Sequence, residues 1–205
     1  MKQSERRALR QKEILQSARL AFGRDGYANV RLGQICEDNK ISKGALYHYF
    51  RGKDDLFLAC VKEMFQDMSE YLRSASNMYS QGTSLQRLTG YFMCCEIFFR
   101  HDENIRKIYK ESVLQPPKHL KEQIWELQQP LRLHNQKFLK QIISSFLLRD
   151  DVSEEDACRY CSCIGRLLWD ILEQYQPNAL LLEQEHFEKL MRKILQMILW
   201  GIAKE

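Results

Sequence analysis

Three groups of residues in this chain have the types and spacing to suggest chemistry. Cys158, Cys161 and Cys163 form C-x-x-C-x-C, and Cys94 and Cys95 are adjacent. Asp150, Asp151, Glu154, Glu155 and Asp156 form an acidic cluster. The stretch Ile41 to Phe57, ISKGALYHYFRGKDDLF, brings Lys43, Tyr47 and His48 into one short segment. A metal site needs converging thiolates. On a helix Cys158 and Cys161 share a face while Cys163 points about 200° away from Cys161, so three thiolates of this helix do not converge. The acids fall where a helix begins after Ser153, and carboxylates in a first turn complement the helix dipole. The five His are scattered, with no H-x-x-x-H pair, no nucleophile beside a base and no Gly-rich phosphate loop. No catalytic residue, no metal and no cofactor is assigned, and the chain is not expected to be an enzyme. Small Cys packed at a helix seam accounts for the thiols; a redox-sensing pair is the alternative.

The third group is different. Ser42 as N-cap and Lys43 as first helical residue give a short helix, Lys43 to Phe50, with a second beginning near Lys53. Leu46 and Phe50 share a buried stripe with Tyr49 at its edge, and Ile41 can staple onto Leu46. The opposite arc collects Lys43, Gly44, Ala45, Tyr47 and His48. Gly costs a helix about 1 kcal/mol against Ala, and aromatics are middling formers, so local propensity did not select these residues. Small side chains let a helix axis approach a surface, and a cation with two hydrogen-bonding rings suits phosphate oxygens. A short helix from about Val30 to Asp38, with Asn29 as its expected cap, precedes this one. Two short helices joined by a tight turn fit a helix-turn-helix whose second member enters the major groove.

The same residues carry a family resemblance. Gly26 to Phe57, GYANVRLGQICEDNKISKGALYHYFRGKDDLF, strongly resembles the DNA-binding domain of TetR/AcrR-type transcriptional repressors. The resemblance covers roughly the first 60 residues and implies DNA contacts by Ser42, Lys43, Gly44, Ala45, Tyr47, His48 and Lys53. Two departures stand out. Val30 and Arg31 occupy the start of the second helix where the family usually has Thr or Ser, leaving Arg31 to reach a phosphate. Asn39-Lys40 replaces the usual Ala-Gly in the turn, which would put Lys40 in a left-handed conformation at a cost of about 1 kcal/mol.

Charge points the same way. Residues 1–60 hold 12 Lys/Arg against 7 Asp/Glu, a net of +5, whereas the whole chain nets +4. The positive excess is therefore confined to the first 60 residues, where an anionic partner is expected. The composition is 44% hydrophobic and 28% charged over 205 residues, an ordinary globular balance that argues against wholesale disorder. The basic N-terminus lacks an apolar core, so no signal peptide is expected, and no segment approaches the ~20 apolar residues of a membrane span. A cytoplasmic protein with free thiols and no membrane partner is the expectation.

With only 9 Gly and 4 Pro, the rest of the chain reads as long helices. The expected segments are 5–24, 53–77, 85–100, 103–115, 118–148 with Pro130 as a kink, 154–175 and 184–203. The fold class is all-α, with a helix-turn-helix DNA-binding domain over 1–52 and a helical ligand-binding and dimerisation domain over 53–205.

Ala157, Cys161, Ile164, Leu168, Ile171 and Tyr175 form an apolar seam, and the last helix has an apolar arc of roughly 200° that includes Gly201 and Ile202. That arc is wider than a monomer core requires, so Ile164, Leu168, Ile171, Leu190, Ile194, Ile198 and Leu199 are expected in a homodimer interface of four helices. The resemblance also implies a pocket for a small-molecule inducer, and Phe92, Glu96, Phe99, Tyr109, Trp125 and Phe138 are its candidates. The combined expectation is a dimeric repressor of palindromic, double-stranded operator DNA, released by its inducer. The rival is a helical small-molecule-binding or catalytic protein that retains the helix-turn-helix as scaffold.

Overall fold

The computed structural model describes residues 3–177 and 179–200. Its α-helices are α1 (Gln3–Asn29), α2 (Leu32–Asp38), α3 (Lys43–Tyr49), α4 (Lys53–Ser74), α5 (Ser84–Arg100), α6 (Glu103–Leu114), α7 (Lys121–Leu127), α8 (Gln129–Ile143), α9 (Glu154–Tyr175) and α10 (Gln184–Trp200). The all-α expectation holds. Gly201 and Ile202 lie outside the described residues.

Helix ends follow identifiable caps. Ser42 accepts from the Ala45 amide at 3.1 Å, and Ile41 and Leu46 on either side of the cap are both buried, as a staple requires. Ser153 accepts from the Asp156 amide at 3.0 Å, and Glu154, Glu155 and Asp156 occupy the first turn of α9. The acidic cluster therefore starts a helix, and no group of metal-ligating side chains occurs among the described residues. The long segment expected over 118–148 is divided. Lys118–Leu120 is a 3-10 turn, α7 ends at Leu127, and α8 places Pro130 in its first turn, where no amide hydrogen is missed.

Two turns near the N-terminus differ in detail from the expectation. α1 continues past Arg24, breaks at Gly26 (φ 74°) and adds one more turn. Asn29 does not cap α2; its side-chain amide donates to the Asp25 carbonyl at 2.9 Å, and Arg31 stands at the N-cap position with no side-chain cap bond. Arg31 has the extended backbone of a cap residue but no short acceptor to turn back on the helix.

The turn into α3 is closed by the Ile41 amide on the Cys36 carbonyl at 2.9 Å and the Lys40 amide on Glu37 at 3.4 Å. That is the Schellman pattern, and it forces Lys40 to φ 53°. Lys40→Gly is accordingly expected to stabilise the protein by about 1 kcal/mol, read as a higher unfolding midpoint. An unchanged midpoint would show that the turn relieves the strain elsewhere.

The chain packs as two units, 1–67 with 99–129 and 68–98 with 130 onward. In the first, Ile14, Ala18 and Phe22 of α1 are buried together with Ile35, Leu46, Phe50, Phe57, Phe65 and Ile108. α6 starts at Asp102, which accepts from the Asn104 and Ile105 amides, and it passes so close to α1 that Gly23 faces Asn104. In the second unit Tyr91 stacks on Phe138 with centroids 4.8 Å apart and donates its hydroxyl to Asn135 at 2.6 Å. Leu168, Leu172, Phe187, Met191, Ile194 and Leu195 complete that core.

Candidate nucleic-acid interface

α3 is held by its buried side and presents the other. Leu46 and the flanking Ile41 and Phe50 are buried, whereas Ser42, Lys43, Gly44, Tyr47 and His48 are exposed and Ala45 is half-buried. Tyr47, at 57% relative exposure, is large and apolar over most of its ring, so it stands in water with no packing reason of its own. The His48 ring stands edge-on to Tyr49 at 5.0 Å, which fixes its direction. A Cβ built on Gly44 meets nothing within 4 Å. This chain's own packing would tolerate a larger residue there.

The face has a cation at its N-terminal end, a smooth centre at Gly44 and Ala45, and two hydrogen-bonding rings at its far end. Such an arrangement can approach a polyanion closely along the helix axis. Arg31 is exposed at the start of α2.

Lys53, expected as a DNA contact, is engaged within its own chain. Its ammonium donates to the carbonyls of Tyr27, Ala28 and Val30 at 2.8, 3.2 and 3.3 Å, and it sits 4.5 Å from the centroid of the Tyr27 ring. Three acceptors satisfy the three hydrogens of an ammonium. Lys53 thus ties the start of α4 to the end of α1 and would reach a phosphate only by giving up these bonds.

Tyr27 is the hub of that joint. Its amide donates to both carboxylate oxygens of Glu111 at 2.9 Å, and its hydroxyl donates to Asp54. Burial, with the Asp54 bond second, pushes the Tyr27 phenol up to about 12, so it stays a donor throughout the neutral range. The helix-turn-helix is thereby fixed to α4 and α6 by bonds that sequence spacing did not disclose. Glu111 lies 84 residues from Tyr27.

The six inducer-pocket candidates fall in both units. Phe99 and Tyr109 lie against each other at 4.9 Å in the first unit. In the second unit, Phe138 lies against Tyr79 and Tyr91, and Phe92 against Tyr91 and Trp169. Trp125 is 51% exposed. Glu96, the carboxylate among the candidates, is fully buried. Among the described residues of the second unit, one open cleft of about 480 Å³ is lined in part by Met78, Gln86, Met93 and Glu188, and another of about 540 Å³ in part by Leu139, Lys140 and Cys158. Neither is lined by any of the six.

The dimer candidates divide by burial. Leu168, Leu190, Ile194 and Leu199 are buried within their own unit, while Ile164, Ile171 and Ile198 are half-buried. The exposed apolar residues of these helices are Tyr160, Leu167 and Tyr175 on α9 and Met197 and Trp200 on α10. Tyr160, Ile164, Leu167, Ile171 and Tyr175 follow helical spacing, a second stripe beside the buried one. The sequence signal was present, since both stripes are apolar, but nothing in the spacing says which of them the chain itself covers.

Cys36, Cys60, Cys94, Cys95 and Cys161 are buried as packing requires, whereas Cys158 is half-buried and Cys163, expected at a helix seam, is exposed. Burial pushes Cys60 up to about 12 and Cys161 up to about 11, and it raises Cys158 as well. Little thiolate is available from Cys60, Cys158 and Cys161 near neutrality.

Known proteins share both the N-terminal segment and the fold. Residues 14–60 match the family described as bacterial regulatory proteins, tetR family. The HTH-type transcriptional repressor AcnR of Corynebacterium diphtheriae is 36% identical over 63 residues, which is 31% of this chain and 33% of that one. The chain spans between 33% and 41% of the length of the first three curated relatives, so the likeness lies in one segment. A TetR family transcriptional regulator from Chloroflexus aurantiacus superposes with a TM-score of 0.72 over 97% of this chain and 95% of that one, at 16% identity. The regulator FadR of Bacillus subtilis, solved in complex with stearoyl-CoA, gives a TM-score of 0.69 over 94% of this chain and 100% of that one, at 16% identity. Likeness at that identity is likeness of fold.

Proposed function

We propose that this chain, a TetR-family protein by its N-terminal segment and its fold, is a ligand-responsive transcriptional repressor that binds palindromic operator DNA as a homodimer. Residues 1–52 meet the DNA, and residues 53–205 sense a small-molecule inducer and dimerise. Lys43 and Ala45 face bases, while Arg31, Ser42, Tyr47 and His48 position the helix on phosphates. The inducer favours a conformation in which the paired recognition helices no longer match half-sites about 34–36 Å apart, and so shifts the population off DNA. The protein works in the cytoplasm, and no helix among the described residues is long and apolar enough to cross a membrane.

The observation that carries this reading is Gly44. Its position is open within the chain, and it weakens α3 by about 1 kcal/mol relative to Ala. A helix of seven residues retains that cost if something outside the chain needs the space. Gly44→Ala is therefore expected to leave folding intact or slightly improved while lowering affinity for DNA. Tyr47→Ala is expected to weaken binding to all sequences alike, at an unchanged unfolding midpoint. Fluorescence anisotropy on duplexes enriched from a random pool measures both. Unaltered affinity in the two variants would remove α3 from the interface and favour the scaffold reading.

A further inference from the structure

The first two turns of α1 bury no side chain of their own. Gln3 to Leu9 are all exposed, and Ile14 is the first fully buried residue of the helix. At about 1.5 Å per residue, those seven residues are about 10 Å of unsupported helix. Their charges do not help it. Arg6 and Arg7 lie near a helix N-terminus, where the dipole disfavours cations, and Glu5 is the one acid in the first turn. Arg10 is paired to Glu13 at 2.8 Å, but among the described residues no carboxylate pairs with Arg6 or Arg7. A segment that is exposed, cationic and locally unfavourable is shaped for a partner.

Its location identifies the partner. The Arg7 guanidinium lies 5.9 Å from the centroid of the Tyr49 ring, and Tyr49 in turn packs edge-on against His48. The cationic end of α1 thus runs beside the C-terminal end of α3 and continues the face formed by Lys43, Tyr47 and His48. Residues 3–12 hold Arg6, Arg7, Arg10 and Lys12 against the single acid Glu5, a surface complementary to a polyanion. A membrane-surface helix would need a broad apolar side. Leu9 is the one large apolar residue of the exposed turns.

We propose that these turns are a second DNA-contacting element, in which Arg6 and Arg7 bind the sugar–phosphate backbone flanking the base pairs that α3 faces. The proposal rests on the DNA-binding reading of α3. A recognition helix of seven residues offers few phosphate contacts, and phosphate contacts supply most of the salt-dependent affinity. A guanidinium beside an aromatic ring keeps its N–H edge free for a phosphate, so Tyr49 orients Arg7 without consuming its donors.

The test compares the full-length chain with R6Q/R7Q on a duplex enriched by the wild-type protein, across a salt series. The variant is expected to keep its unfolding midpoint. Its plot of log affinity against log salt should be shallower by about 2 per protomer, with affinity lower on the order of 10-fold at physiological salt. Trimming the duplex flanks should abolish the difference, and R6K/R7K should restore the slope. An unchanged slope in R6Q/R7Q, alongside weaker binding by Tyr47→Ala, would overturn the proposal and leave α3 as the DNA-binding element. If the wild-type protein enriches no duplex at all, the DNA-binding reading falls first and this proposal falls with it.

Discussion

Gly23→Ala should destabilise the protein by about 2 kcal/mol, although it adds a better helix former to the middle of α1. A Cβ at this position would stand 2.2 Å from the Cβ of Asn104 and 2.5 Å from its Cα. Since the Asn104 Cα is backbone, a rotamer change in Asn104 gives no relief. α6 has to move away from α1, and the movement costs more than the ~1 kcal/mol of helix propensity gained. Gly44→Ala is the internal control, because the same substitution in open space should raise stability or leave it unchanged. Urea or thermal unfolding of both variants checks the pair. A Gly23→Ala protein as stable as the parent would mean that α6 slides along α1 freely. The position matters for function because α6 also holds Tyr27 through Glu111, so the approach at Gly23 and the bond at Tyr27 together set where α6 meets the helix-turn-helix.

Gly23 also marks the limit of what spacing discloses. A glycine near a helix end reads as a stop signal, and Gly26 does break α1 with φ 74°. Gly23 is buried in continuous helix, where its use depends on Asn104, a residue of no distinctive type far along the chain. Local features were readable because their causes are local. The Ser42 and Ser153 caps and the bounds of α9 follow from neighbours within four residues, whereas the left-handed Lys40 was implied by the family resemblance. The exposed arc of α3 was readable for the same reason, since a seven-residue helix has only one side to bury.

Distant contacts were not readable. Lys53 lies at the edge of the recognition segment in sequence, and only the folded path of α1 brings three carbonyls to its ammonium. Aromatic residues in 85–148 have the same types whether they line a cavity or fill a core. The fold divides Phe92 and Phe138 from Phe99 and Tyr109 by unit, a division that helical periodicity does not carry. α9 shows the same limit within one helix. Its apolar residues exceed one stripe, and the choice of inner stripe is made by α10 and by neighbouring residues of the second unit.

That choice leads to the largest expected effect on assembly. If the proposed homodimer forms through this stripe, Leu167→Glu should yield monomer in sedimentation and lower operator affinity by about 10²-fold or more, because each half-site is then bound without a tethered partner. Leu167 is 47% exposed and lies between the half-buried Ile164 and Ile171, so a carboxylate there stays hydrated in the single chain and need not disturb its fold. Across a two-fold interface the same carboxylate would be desolvated against its symmetry mate, which is unfavourable for both. Leu168, next in sequence, is fully buried, and an acid there would unfold the second unit before assembly could be judged. Trp200, at 74% exposure on α10, gives an independent probe, and Trp200→Glu should act in the same direction. A Leu167→Glu protein that still sediments as a dimer would move the two-fold contact off the outward stripe of α9. The apolar residues of that stripe would then need another partner, because Tyr160, Ile164, Leu167, Ile171 and Tyr175 repeat at helical spacing along the length of the helix, and their own chain leaves them partly in water.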